Sequence, residues 1–130
     1  TGHVEADHDV GRTLAAIRDA GCTCGLALNP STPLEKAEPF FGAIDLLLVM
    51  TVVPGFGGQP FMPEMLGKIR EAARARNERG LRFHIEVDGG IAADTARDCL
   101  EAGANVLVAG TSVFGAADLG AAIRELKGWP

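Results

Sequence analysis

Apolar residues in this chain follow two alternating patterns. Short continuous runs read as buried strands: "CTCGLALN" (22–29), "IDLLLVMTV" (44–52), "LRFHIEV" (81–87) and "NVLVAG" (105–110). The opening "GHVE" (2–5) reads as the end of a further strand. Between them lie segments with helical spacing. "DVGRTLAAIRDAG" carries Leu14, Ile17 and Ala20 on one face and stops at Gly21. "TPLEKAEPF" predicts a helix opened by a Thr32–Glu35 capping box, with Pro33 at its first position. "PEMLGKIREAARARNERG" turns Met65, Leu66, Ile69 and Ala73 inward. "ADTARDCLEAG" closes at Gly103, and "DLGAAIRELKG" is the last helix; "DGGI" and "TSVFGA" read as loops. His84 falls mid-strand and reads as packed between sheet and helix.

Five strands, each followed by a helix, predict a parallel sheet with right-handed crossovers. Two closures are open at this point, a doubly wound sheet or a (β/α) barrel. Both place their functional loops at the carboxyl ends of the strands. Asn29, Met50 with the glycine loop behind it, Asp88-Gly89-Gly90 and Gly110-Thr111 all fall there.

Composition narrows the classes without choosing among them. The 130 residues fit a single domain, 1–130, and are 47% hydrophobic and 22% charged, ordinary for a globular protein. No apolar run is long enough to span a bilayer, and the polar, acidic opening is unlike a signal peptide. A net charge of −5 gives no basic footprint for nucleic acid. Cys22, Cys24 and Cys99 lack a disulfide framework and read as small buried hydrophobes in a reducing cytoplasm. Position 1 is not Met, and the chain reads as a piece of a longer one.

The loops carry the candidate chemistry. "VVPGFGGQP" (52–60) packs three glycines and two prolines into nine residues. Gly55, Gly57 and Gly58, then Gly89 and Gly90, then Gly110 recur at three successive strand ends. One such loop reads as a tight turn; three in succession read as a cradle of main-chain N–H groups for a phosphate. Asp88 ends a buried strand at the mouth of the sheet. It can ligate a cation, move a proton or simply form an Asx turn, and the residues alone leave these open. His3, Glu5 and Asp7 resemble a metal cluster but read as structural; His8 and Asp9 read as loop and helix-cap residues. Met50 reads either as core or as an apolar wall of the site. Phe56 and Gln59 read as loop anchors.

"LLVMTVVPGFGGQPF" followed by Lys68-Ile69 resembles the ribulose-phosphate 3-epimerase signature: Met-Thr, Pro, Gly-Gln-x-Phe, then a basic-apolar pair. "HVEA", "GLALNPSTP", "HIEVDGGI" and "EAGANVLVAGTSVF" fit the same family in order. The resemblance implies an α/β fold, the (β/α)8 TIM barrel, of which this chain supplies only the C-terminal five βα units, strands four to eight. It implies that Asp88 is both an acid/base and one of four ligands to a divalent metal (Zn, Fe, Mn or Co). The other three ligands and a second catalytic aspartate then lie outside these residues. It implies substrate and phosphate contacts at Met50, Gly55, Phe56, Gly57, Gly58, Gly89, Gly90, Gly110 and Thr111, the last standing where the family often has Ser. His3 matches a strand-four histidine that is not a ligand, while Gly2 departs from a usually apolar position.

The implied reaction is the interconversion of D-ribulose 5-phosphate and D-xylulose 5-phosphate by two-base proton transfer at C3, in the pentose phosphate pathway. Two alternatives stay open: an epimerase of a six-carbon ketose phosphate such as allulose 6-phosphate, and a catalytically incomplete phosphate-binding fragment. The expected partner is a small sugar phosphate, without nucleic acid or membrane. Homo-oligomerisation through exposed strand edges is possible on the same reading.

Overall fold

A computed structural model of the chain describes residues 1–128. Its five strands are β1 (Gly2–His3), β2 (Gly25–Leu28), β3 (Leu46–Met50), β4 (His84–Asp88) and β5 (Val106–Val108). They form one parallel sheet in the order β1-β2-β3-β4-β5. A doubly wound sheet reverses its strand order at a switch point, whereas a barrel adds each strand beside the last. The unbroken order therefore selects a partial (β/α)8 barrel over the open alternative, with β1 and β5 at its edges.

Side-chain alternation separates the two faces of the sheet. Leu47 and Val49 of β3 and Ile85 and Val87 of β4 are fully buried. They lie in one core with Ile69 and Ala72 of α2 (Met65–Glu78) and with Ala96 and Cys99 of α3 (Ala93–Ala102). Burial, and then the charge of Asp98, push the Cys99 thiol up to about 11, so it stays a neutral core group. The intervening positions, Leu46, Leu48, Glu86 and Asp88, are only partly covered on the opposite face. Register sets Met50 beside Asp88 and Asp88 beside Val108, which brings three strand ends level.

Three helix ends follow the local rules closely. Asp9 caps α1 (Val10–Asp19), its carboxylate accepting from the Arg12 N–H at 3.0 Å. Asp118 does the same for α5 (Leu119–Leu126) through the Ala121 N–H. Gly103 ends α3 with a left-handed φ of 111°, and a Cβ there would overlap the Ala73 methyl of α2.

Four expectations fail. "TPLEKAEPF" forms two short 3₁₀ turns, Leu34–Lys36 and Glu38–Phe40, in place of an α-helix. Pro39 is the cause: it lacks an N–H and its ring would strike the carbonyl four residues back, so it starts a new turn. Thr32 caps nothing. "TSVFGA" is not all loop, because Thr111–Phe114 makes a single helical turn, α4. His84 begins β4 exposed, its Nδ1 3.1 Å from Asn105 Nδ2, and does not pack under a helix. Cys22 is exposed, while Cys24 and Cys99 are buried as expected.

Candidate active site

The carboxyl ends of β3, β4 and β5 open onto a cavity of about 720 Å³. Asp88, Met50, Gly55, Phe56, Gly57, Gly58, Gly89, Gly90, Gly110 and Thr111 all line it. These ten thus share one cavity, whereas Asn29, singled out with them at a strand end, lines a different one. Val52, Ile91, Ala92 and Ser112 complete much of the wall.

The cavity glycines fall into three kinds, of which Gly55 (φ 151°) and Gly58 (φ 75°) are left-handed with open space where a Cβ would stand. Gly89 (φ 123°) and Gly90 (φ 66°) hold left-handed backbone, and a Cβ would overlap the Val52 side chain at one and the Phe61 backbone at the other. The fold itself needs glycine at both. Gly57 and Gly110 have neither a left-handed φ nor any atom within 4 Å of where a Cβ would stand. Both line the cavity, and Gly110 is also the N-cap of the turn that begins at Thr111.

Hydrogen bonding gives the β4 loop a polarity. Four successive carbonyls are tied to the protein. Asp88 O accepts from the Thr51 N–H (2.9 Å) and Gly89 O from Thr51 Oγ1 (2.6 Å). Gly90 O accepts from Thr95 Oγ1 (2.9 Å) and Ile91 O from Ser112 Oγ (2.6 Å). The Gly89 N–H faces the β5 strand, where Asp88 pairs with Val108, whereas the N–H groups of Gly90 and Ile91 have no protein acceptor among the described residues. A trans peptide points its N–H away from its C=O, so fixing the carbonyls also fixes these donors. Uncommitted donors on a bare loop suit an anion.

Gln59 anchors the glycine loop, donating to Val53 O (2.6 Å) and Phe56 O (2.9 Å). The Phe56 ring is 75% exposed and anchors nothing; only its carbonyl takes part. Thr51 and Ser112 were not singled out in the sequence. A hydroxyl directly after an apolar strand and another beside a strand-end glycine were the available signals.

The His3–Glu5 pair is structural. His3 Nδ1 lies 3.2 Å from Glu5 Oε2, and Glu5 Oε1 accepts from the Asn29 N–H at 2.8 Å. Burial raises the Glu5 pKa, but hydrogen bonds from Thr32, Asn29 and His3 outweigh it and leave the carboxyl below its ordinary range. Lys68 Nζ donates to the carbonyls of Asn29 (3.0 Å), Pro30 (2.9 Å) and Thr32 (2.6 Å). Burial lowers its pKa while the Glu5 charge pulls the other way. The loop after β2 is therefore held by Glu5 and Lys68, while the buried Asn29 Oδ1 has no hydrogen-bond partner among the described residues.

Glu86 stands two residues before Asp88 on the same strand face. Burial, and then the Asp88 charge, raise its pKa. Among the described residues, no three His, Cys, Asp or Glu side chains stand together as a metal would require. A divalent ion at Asp88 would need ligands from elsewhere. Among the same residues, no helix is long and apolar enough to cross a membrane.

Comparison with known proteins agrees with this geometry. The family model for the ribulose-phosphate 3 epimerase family matches residues 1–114. The chain belongs to that family. It is 46% identical over 127 residues to the ribulose-phosphate 3-epimerase of Bacillus subtilis, covering 97% of this chain and 58% of that one. It is 50% identical over 127 residues to the Synechocystis enzyme of the same name, covering 96% and 55%. The chain thus spans about half the length of the curated relatives it matches. Among solved structures, a 3-hexulose-6-phosphate synthase aligns with a TM-score of 0.65 at 23% identity, over 97% of this chain and 58% of the other. A thiamine phosphate pyrophosphorylase from Pyrococcus furiosus aligns with a TM-score of 0.61 at 21% identity, over 98% and 56%. Both likenesses concern the fold alone.

Proposed function

We propose that these residues form the phosphate-holding side and one acid/base of a ribulose-phosphate 3-epimerase. The observation that carries this is the meeting of Asp88 with three glycine-bearing strand ends in one cavity, in a chain of this family. The substrate would be D-ribulose 5-phosphate or its C3 epimer. The loops after β4 and β5 would bind the phosphate through main-chain N–H groups, and its binding energy would position the reacting carbon.

The C3 proton is acidified by the neighbouring C2 carbonyl. In one direction Asp88 takes that proton, the electron pair moves onto the carbonyl oxygen, and an enediolate results. A second acid, outside these residues, then gives C3 a proton from the opposite face. In the other direction the two groups exchange roles, and Asp88 returns the proton. Met50, beside Asp88 and largely buried, would form an apolar wall that limits water at the enediolate.

Because one carboxyl cannot serve both faces, the isolated chain should bind sugar phosphate without epimerising it. The test places these residues behind the N-terminal portion of the Bacillus subtilis relative. The hybrid should interconvert the two pentulose phosphates and exchange the C3 proton with solvent, and Asp88→Asn should abolish both. Unchanged turnover in that variant would remove Asp88 from the mechanism.

A further inference from the structure

We infer that Thr51 and Ser112 are positioning residues of the Asp88–Ile91 loop: the Thr51 hydroxyl aims the Gly90 amide at an anion, and the Ser112 hydroxyl anchors the end of the same loop. This deepens the phosphate reading and rests on it. Thr51 is fully buried, the one polar residue so placed among the described residues, and it sits at the end of β3. Three elements meet at it. Its Oγ1 donates to Gly89 O, its N–H to Asp88 O, and its carbonyl accepts from the Met62 N–H at 2.9 Å, just before α2. Ser112, in α4, reaches back across the cavity wall to Ile91 O.

Why a hydroxyl is needed follows from the tandem glycines. Gly89 and Gly90 have the widest choice of backbone conformation in the loop, so each peptide plane could rotate at little steric cost. A rotated plane would present a carbonyl to the anion where an N–H is required. The two hydroxyls remove that freedom from opposite sides. Thr51 fixes the Gly89–Gly90 plane and hence the Gly90 N–H. Ser112 fixes the far end of the loop, the Ile91–Ala92 plane, whose own N–H is bonded to Thr95 Oγ1. Thr95 holds the Gly90 carbonyl between them. The packing of Val52 against Gly89 supports the arrangement but cannot choose which way a peptide faces.

The experiment uses the full 130-residue chain, ¹⁵N/¹³C-labelled and titrated with inorganic phosphate. In the parent, the amides of Gly90 and Ile91 should shift saturably. Thr51→Val keeps shape and burial but removes the hydroxyl; Ser112→Ala removes the other. Each should weaken phosphate binding about five- to tenfold, the effect of one lost hydrogen bond. Each should also move the free chain's carbonyl ¹³C resonance, at Gly89 in the first variant and at Ile91 in the second. Thr51→Ser should restore parent affinity, which a packing role alone would not do. If Thr51→Val fails to fold, Ser112→Ala and Thr51→Ser carry the test: the serine variant then has to keep both fold and affinity. Parent-like affinity in Ser112→Ala and in any folded Thr51→Val overturns the latch and leaves the phosphate site standing. Absence of any amide shift in the parent overturns the phosphate site and the latch with it.

Discussion

The two ends of the same sheet treat their backbone groups differently. At the amino-terminal end, side chains satisfy donors and acceptors alike. Asp45 accepts from the Cys24 N–H (2.8 Å) and from Arg18 (3.1 Å), and Arg18 donates to the Ala43 carbonyl (2.9 Å). Asn105 accepts from the Ile85 N–H (2.8 Å), and Arg76 reaches the Phe83 carbonyl. At the carboxyl-terminal end, hydroxyls take up the carbonyls of the β4 loop and leave the N–H groups of Gly90 and Ile91 without a protein partner among the described residues. A saturated end closes a fold. An end with donors left over is prepared for a ligand that brings acceptors.

The sharpest break of this contrast lies within the loop itself. Gly90→Ala should destabilise the chain by about 3 to 5 kcal/mol, because the new Cβ meets the Phe61 backbone on left-handed φ. Gly57→Ala, where nothing stands within 4 Å, should change stability by less than about 0.5 kcal/mol while weakening phosphate binding about tenfold. Urea unfolding and phosphate titration of both variants check this. A stable Gly90→Ala would remove the steric argument, and unchanged affinity in Gly57→Ala would return that glycine to a plain turn.

Next in size is the saturated end. Asn105→Ala leaves the Ile85 N–H without its acceptor and should cost about 1 to 3 kcal/mol in the same unfolding experiment. Its phosphate affinity should equal the parent's. A loss of affinity there would mean that the two ends are coupled and the contrast is too simple.

The smallest effect concerns Glu86. Its folded pKa is raised above the model-peptide value of 4.5, so the folded chain holds more protons than the unfolded chain between the two values. Stability therefore falls as pH rises through that window. Glu86→Gln should melt slightly higher than the parent at pH 7 and lose that advantage below pH 4.5. Thermal melts at the two pH values decide it, and a lower melting temperature at pH 7 would show that the ionised carboxylate contributes to the fold.

Most of this organisation was legible in the chain. Apolar runs bounded by Gly and Asp located the strands, and the position of chemistry-bearing residues at their ends located the cavity. The alternation of strands and helices alone left barrel and doubly wound sheet open, because both closures share one local pattern, and only the signature motifs pointed to the barrel. The capping box at Thr32 misled because two short-range rules competed and the proline at position 39 won. His84 misled because a strand's first residue can carry the periodicity of the strand while lying outside its covered part. The polarity of the β4 loop was hidden for a different reason. Glycine repeats announce freedom, but the residues that restrict it, Thr51 and Ser112, come from neighbouring strand ends that only the folded sheet brings together.

The central claim is that the carboxyl end of this sheet is a sugar-phosphate site. It is tested most directly by titrating the ¹⁵N-labelled chain with D-ribulose 5-phosphate and, separately, with unphosphorylated ribulose. The account predicts saturable shifts at Gly57, Gly89, Gly90, Ile91 and Gly110 with the phosphorylated sugar and none with the free sugar at equal concentration. Equal responses to both sugars, or shifts confined to residues away from the cavity, would contradict it.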